Sequence, residues 1–363
     1  MKLKRLCLLL WCVCMPAVSR LRYDAAFEDQ APDFLAPAPE ARGSLSPSDY
    51  ASPEDADLPV SVFREIWGYV IDGRERFYKK EFPLSDIGYF GAEVNIYGEL
   101  EGVPKKARID GFSGRLHLVV ACNGQALSHF ALMEGTPVRR RLAAAILEAA
   151  RPFDGLQIDF ENVPRRDGES FRSFLRELRN GLPPEKWFTV ALSARMRTLE
   201  NDVYDYRKIK GMVDRILVMA YDEHWSTSAP GPIASTGWCE NVAAYALKTV
   251  GPEKLIMGLP FYGRSWGNWN PNQAYIYPTV RRIREERKVG AVRRVRGGIP
   301  TFTYQAPVIA TVYYEDDYSL SARMEMYRAL GVRAVGFWRV GQESPTVWKR
   351  MKLSEQEQHK EGT

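Results

Sequence analysis

Two carboxylates and an amide alternate with apolar residues in the stretch Asp154-Gly155-Leu156-Gln157-Ile158-Asp159-Phe160-Glu161. Apolar and β-branched residues follow a glycine and stop at Asn162-Val163-Pro164, the pattern of a β-strand. Side chains on a strand alternate faces, so Leu156, Ile158 and Phe160 share one face and Gln157, Asp159 and Glu161 the other. The first face is packable. The second ends in two acids, which are costly to bury unless paired or used. Two carboxylates at a strand tip suit cleavage of a glycosidic bond, which proceeds through an oxocarbenium-like transition state. The competing role for each acid is an ion pair that holds the fold together. Asp154 has the opposite parity and precedes Gly155, which predicts a turn or strand-anchoring role.

Such a strand tip needs a scaffold. From Val60 onward, short apolar runs alternate with amphipathic helices. Strands are predicted at Ile66–Ile71, Ile87–Phe90 with a continuation toward Tyr97, Leu116–Ala121, Gly155–Phe160, Phe188–Leu192, Arg215–Ala220, Leu255–Leu259 and Ala334–Trp338. Helices are predicted at Pro137–Ala150, Gly168–Asn180, Trp238–Val250 and Ser319–Leu330, the first with proline near its start and the third followed by Gly251-Pro252. The alternation predicts an α/β chain folded as a (β/α)8 TIM barrel over residues 60–352. Between the seventh strand and the last helix, residues 266–317 hold many aromatics and little helical period, so a small α+β insertion is expected there. Its basic residues, Arg281, Arg282, Arg284, Arg287, Lys288, Arg293, Arg294 and Arg296, face only Glu285 and Glu286 nearby in sequence. They form either a patch for an acidic polymer or a solvated helix face.

Chemistry in this barrel sits at the C-terminal ends of the strands. The third strand ends in Cys122 and Asn123, the fourth in Asp159 and Glu161, and the fifth in Arg195. The sixth ends in Met219, Tyr221 and Asp222, the seventh in Tyr262 and Arg264, and the eighth in Trp338. His224 follows the sixth-strand residues toward the cleft. None of His117, His129, His224 and His359 pairs at metal-ligand spacing, so no metal and no cofactor is expected. No serine elbow, P-loop or dinucleotide fingerprint occurs at a strand-to-helix junction.

Residues 1–19 read as an export signal: Lys2, Lys4 and Arg5 precede the short apolar run Leu6–Met15 and the small residues Ala17-Val18-Ser19. A lipidated Cys12 or Cys14 and an uncleaved anchor are the alternatives. Removing the three basic residues of this segment brings the formal charge from +5 to near +2, so no nucleic-acid partner is expected. Residues 20–59 are rich in Pro, Ala, Ser and acids and read as a disordered linker, and 353–363 as a polar tail. Export places the chain in the periplasm, the cell envelope or outside the cell, with envelope association through the N-terminus and a monomeric state expected. The two cysteines beyond the signal, Cys122 and Cys239, fall on opposite sides of the barrel and are expected unpaired.

The motifs taken together resemble glycoside hydrolase family 18. Asp154 to Glu161 is similar to its D-x-x-D-x-D-x-E signature. The resemblance continues through Met219-Ala220-Tyr221-Asp222, Gly258-Leu259-Pro260-Phe261-Tyr262-Gly263 and Gly336-Phe337-Trp338. Asp159-Phe160-Glu161-Asn162-Val163-Pro164 and Tyr314-Glu315-Asp316-Asp317-Tyr318-Ser319 resemble the bacterial branch that degrades spore-cortex peptidoglycan. The resemblance implies a retaining, substrate-assisted hydrolase of β-linked N-acetylglucosamine (GlcNAc) in peptidoglycan, chitin or a related polysaccharide. It implies Glu161 as acid and base, Asp159 as partner of the substrate's acetamide, and Tyr221 as the group holding the acetamido oxygen. Trp338 is implied as the floor under the sugar, with Asp222, Met219, Gln157, Asn123 and Tyr262 around it. The chain departs from the pattern at Gln157, where many members carry an acid. An amide there can hydrogen-bond Asp159 but cannot share a proton with it, which predicts an altered pH dependence. A non-catalytic glycan-binding envelope protein is the alternative, against which an intact Glu161 counts.

Overall fold

The computed structural model describes residues 58–267, 273–290, 292–295, 297–305 and 309–355. The expected signal segment, nearly all of the linker and most of the tail lie outside them. Eight parallel strands close on themselves: β1 (Glu65–Ile71), β2 (Asp86–Val94), β3 (Arg115–Asn123), β4 (Gly155–Glu161), β5 (Trp187–Ser193), β6 (Arg215–Met219), β7 (Leu255–Pro260) and β8 (Ala334–Trp338). Neighbours in sequence are neighbours in the sheet, and β8 pairs with β1 to complete the (β/α)8 barrel. β2 runs to Val94 and forms a short antiparallel pair with Leu100–Glu101.

The helices form where local chemistry starts them. They are α1 (Gln125–Leu132), α2 (Pro137–Ala150), α3 (Gly168–Gly181), α4 (Tyr206–Ile209), α5 (Thr236–Thr249), α6 (Tyr277–Glu286) and α7 (Asp317–Ala329). In α2, Pro137 occupies the first turn and the Thr136 hydroxyl accepts from Arg139 N–H. In α7, Asp316 and Ser319 form a reciprocal capping box. α3 buries Phe171, Phe174, Leu175 and Leu178 at helical spacing, and Phe160, facing outward from β4, stacks on the two phenylalanines. That contact joins the outward face of the signature strand to the main core between barrel and helices.

The barrel interior is layered. At its base, Glu65 takes Arg215 in a nearly buried ion pair, and Asp86 takes both Arg115 (2.7 Å) and His117 (2.8 Å). Burial opposes the charge on Asp86, but the bonds from His117 and Arg115 hold its carboxyl below the ordinary carboxylate range. Above them, Trp67, Tyr69, Val119, Ala191, Leu217, Met219, Ile256 and Ala334 fill the interior.

Between β7 and β8, a five-stranded antiparallel sheet carries α6. It begins at Tyr262, four residues before the expected start at Trp266, because Tyr262–Gly267 leaves β7 after a single residue and pairs with both Gln273–Ile276 and Ile309–Tyr313. The basic run is partly neutralised: Arg294 pairs with Asp316 at 2.7 Å, Arg281 with Glu285 and Arg282 with Glu286. Arg296 lies outside the described residues. Two further differences occur at the two ends of the described barrel. Leu353, expected to open the polar tail, instead closes the strand Met351–Leu353, which pairs in parallel with Ser61–Phe63. Leu58, inside the expected linker, is nearly buried, and its carbonyl accepts from Arg350.

Candidate active site

The signature strand places its residues as alternation requires. Gln157, Asp159 and Glu161 climb the interior face of β4, with Val119, Ala121 and Asn123 of β3 beside them in register. Gln157 is fully buried. Its amide oxygen accepts from the Tyr69 hydroxyl (2.6 Å), and its amide nitrogen donates to the Thr189 hydroxyl (3.1 Å). The expected bond to Asp159 is therefore replaced: both ends of the amide are engaged across the barrel, by β1 and by β5. Burial, offset in part by the bond to Gln157, keeps the Tyr69 hydroxyl firmly protonated as a donor.

Asp159 is 7% exposed, and its Oδ1 has no hydrogen-bond partner. An acid so placed resists ionisation, and burial pushes it up to about 7. Glu161, half-buried at the strand tip, is also held well above the ordinary carboxylate range. Burial is the largest cause, followed by the charges of Asp159 and Asp222. Asp159, raised by burial, thus in turn raises Glu161. Glu161 therefore holds its proton more tightly than an exposed carboxyl would, as a general acid requires.

The backbone around Glu161 is pinned. The Tyr204 hydroxyl donates to the Phe160 carbonyl and accepts from Val163 N–H, both at 2.9 Å. It bridges the residues on either side of Glu161-Asn162, where Asn162 takes a left-handed conformation with φ 58°. From the other side, the Ser128 hydroxyl donates to the Glu161 carbonyl (3.3 Å).

The remaining predicted residues converge from the other strand ends. Asp222, also left-handed at φ 57°, accepts from the Tyr262 hydroxyl (2.6 Å) and from Arg264 Nε and Nη2 (3.0 and 2.9 Å). Tyr221 packs edge-on to Tyr262 and lies over Gly258, where any Cβ would meet its ring at 2.9 Å. Met219 is nearly buried in the interior cluster below. The Trp338 ring packs against Phe90 (5.1 Å, edge-on) and Tyr69 (5.6 Å). Asn123, half-buried, stands opposite Glu161 in register.

Three predicted positions are not part of this group. Cys122 faces away from the interior and is buried against Ser128. Arg195 is committed to Asp202 at 2.8 and 3.0 Å. His224 is hydrogen-bonded through Nδ1 to the Pro232 carbonyl. Cys122 and Cys239 are both buried thiols that form no disulfide with each other. Asp154 anchors strands as expected, accepting from Leu116 N–H at 2.9 Å and pairing with Lys106.

Three contributors were not singled out from the sequence. Tyr69 and Phe90 were legible in principle, because their parity in β1 and β2 points them inward. Tyr204 lies outside regular secondary structure, and no local pattern marks it.

The profile of the family described as "Glycosyl hydrolases family 18" matches residues 102–343. An uncharacterized glycosylase of Bacillus subtilis, YvbX, is 25% identical over 232 residues, covering 61% of this chain and 67% of the relative. The cortical fragment-lytic enzyme of Bacillus anthracis is 24% identical over 299 residues, covering 73% of this chain and 67% of that enzyme. Among solved structures, the spore cortex-lytic enzyme SleL of Bacillus cereus superposes with a TM-score of 0.73 at 20% identity, over 81% of this chain and 76% of SleL.

Proposed function

Since the chain belongs to family 18 of the glycosyl hydrolases, and is thereby a glycoside hydrolase acting on GlcNAc-containing glycans, we propose that it cleaves β-linked GlcNAc bonds in peptidoglycan by a retaining, substrate-assisted route. One observation carries the mechanism: the unpartnered, buried Oδ1 of Asp159 beside a Glu161 whose carboxyl burial and two neighbouring acids hold well above the ordinary carboxylate range. An acceptor left unsatisfied in a buried site is costly. A substrate acetamido N–H removes that cost.

In the proposed reaction, Glu161 protonates the glycosidic oxygen as the bond to the anomeric carbon breaks. The substrate's own acetamido oxygen attacks that carbon, giving an oxazolinium ion, which is why no second protein nucleophile is needed. Asp159 accepts the acetamido N–H and offsets the positive charge. The Tyr221 hydroxyl holds the acetamido oxygen in line, and Trp338 supplies an apolar floor for the sugar ring. Glu161, now ionised, takes a proton from the water that opens the oxazolinium. Peptidoglycan is favoured as substrate by the likeness to cortical fragment-lytic enzymes. The reading of residues 1–19 as an export signal agrees with such a substrate.

The test is hydrolysis of peptidoglycan strands and of GlcNAc oligomers by the purified chain beside Glu161→Gln. A parallel substrate has the acetamido group replaced by hydroxyl. Substrate assistance requires that this analogue resist cleavage. Equal cleavage of analogue and parent would refute it. Retained binding with no turnover of any glycan would make the chain a binding protein instead.

A further inference from the structure

Some arginines around the mouth of the barrel are paired, while two on its β8–β1 side have no such partner among the described residues. Arg264 is held by Asp222 and Arg195 by Asp202. Arg339 directly follows Trp338 at the end of β8, and Arg74 lies in the loop after β1. These two loops pack on each other. Val340 N–H donates to the Tyr69 carbonyl (3.0 Å), and Gly341, at φ 89°, sits so close to Phe77 that a Cβ would come within 2.6 Å of its ring. Arg339 is half-buried and Arg74 is exposed. Neither side chain makes a hydrogen bond or ion pair with any described residue, whereas the acids around them are already engaged. Asp72 is taken by Arg108 (2.6 Å). Glu75 is taken by the Tyr89 hydroxyl and Gly73 N–H. Glu343 accepts from the Trp348 indole (2.9 Å) and Gly341 N–H (2.6 Å). Burial first, and then the charge of Arg74, disfavours the charged form of Arg339, with Glu343 opposing them.

A partly desolvated guanidinium beside a second positive charge is unfavourable unless an anion completes it. The planar fork of arginine matches a carboxylate in two parallel hydrogen bonds. We infer that Arg339 and Arg74 form a subsite for a carboxylate carried by the glycan, next to the Trp338 floor. The inference rests on the proposed function, which supplies a glycan that bears carboxylates. Two sources share this chemistry: the lactyl carboxylate of a peptide-free muramic residue, and the carboxylates of the peptide stem.

The test compares soluble peptide-free glycan strands, stem-bearing strands, and both after carbodiimide amidation of their carboxylates. Neutral GlcNAc oligomers report separately on the hydrolase reading. With the unmodified protein, amidation is expected to lower kcat/KM about tenfold, the size of one charge-assisted hydrogen bond. The strand type that loses activity identifies the carboxylate recognised. In Arg339→Gln, and in Arg74→Gln, whose exposed side chain can be changed without disturbing packing, the ratio of kcat/KM on carboxylate-bearing to amidated strands falls toward one. An unmodified protein indifferent to amidation, or variants that keep the full ratio, would overturn the subsite while leaving hydrolysis of neutral oligomers to support the proposed function. If no glycan is turned over, the proposed function fails, and binding of the same strands to Glu161→Gln protein decides the subsite by the same ratio.

Discussion

Replacing Tyr204 by phenylalanine removes one oxygen that makes two hydrogen bonds of 2.9 Å, to the Phe160 carbonyl and the Val163 amide. The ring remains, packed edge-on against Phe171, so no large cavity is created. Two main-chain groups flanking Glu161 lose their partner in a region sealed from water. Each such group costs about 1–3 kcal/mol, and partial relaxation of the left-handed Asn162 recovers some of it, which leaves a stability loss of about 2–4 kcal/mol. The catalytic effect follows from position. If the release of Phe160 and Val163 lets Glu161 move by about 1 Å, kcat falls on the order of 100-fold. The change also frees Glu161 toward solvent. Burial is the main cause of its raised pKa, so the alkaline limb of kcat, where the acid loses its proton, moves to lower pH. Denaturant unfolding, steady-state kinetics on a GlcNAc oligomer and a pH profile measure the three effects on one protein. The positioning role is refuted if stability falls while kcat and the alkaline limb stay at their wild-type values.

The influence of Asp159 on Glu161 gives a second expectation. In Asp159→Asn the charge that helps raise Glu161 is gone, so the alkaline limb of the residual activity shifts to lower pH, read from kcat/KM against pH. The same substitution changes stability with a defined sign. Asp159 has a raised pKa in the folded state, so its contribution is fully present below the ordinary carboxylate pKa and is lost as pH rises toward about 7. The variant should therefore melt higher than wild type at pH 8 and equally at pH 3.5 by calorimetry; a lower melting point at pH 8 would contradict the burial argument. Gln157→Glu keeps the shape but adds a charge beneath Asp159, raising its pKa further, so the acid limb of kcat/KM moves to higher pH. An unmoved limb would show that the two positions are not coupled. Arg323 and Glu315 form a fully buried pair at 3.0 Å. Arg323→Met leaves a lone buried acid and should cost about 3–5 kcal/mol in denaturant unfolding, most of it recovered in the double variant with Glu315→Leu.

Much of the scaffold was legible because strand periodicity and helix punctuation are local. Gly155–Glu161 reads correctly from alternation alone, and Pro137 and Gly251-Pro252 mark helix ends without knowledge of the fold. The inward parity of Gln157 was legible, but its partners were not. Tyr69 is 88 residues away in sequence, and only barrel closure brings β1, β4 and β5 around one amide. Cys122 shows the converse. It ends a strand, yet one step of parity turns it away from the interior. Tyr204 was invisible for a different reason: its function lies in a hydroxyl that satisfies two main-chain groups of another segment, and nothing near residue 204 records that need. α1 was missed because its eight residues are too few for a periodic signal, and Arg339 because an absent partner leaves no trace in sequence.

The two-stranded pairing of Ser61–Phe63 with Met351–Leu353 has a mechanical consequence. The strands run parallel, with Ser61 beside Met351 and Phe63 beside Leu353. Tension applied upstream of Ser61 and downstream of Leu353 therefore acts on opposite ends of the ribbon. The rungs are loaded together in shear instead of being peeled apart one by one. Ser61 is further tied to Glu325 of α7, and the Phe63 carbonyl accepts from Ser354 N–H, so the same load spreads into the helix layer. A load applied at these two ends therefore passes through this ribbon before it reaches the strands that carry Asp159 and Glu161.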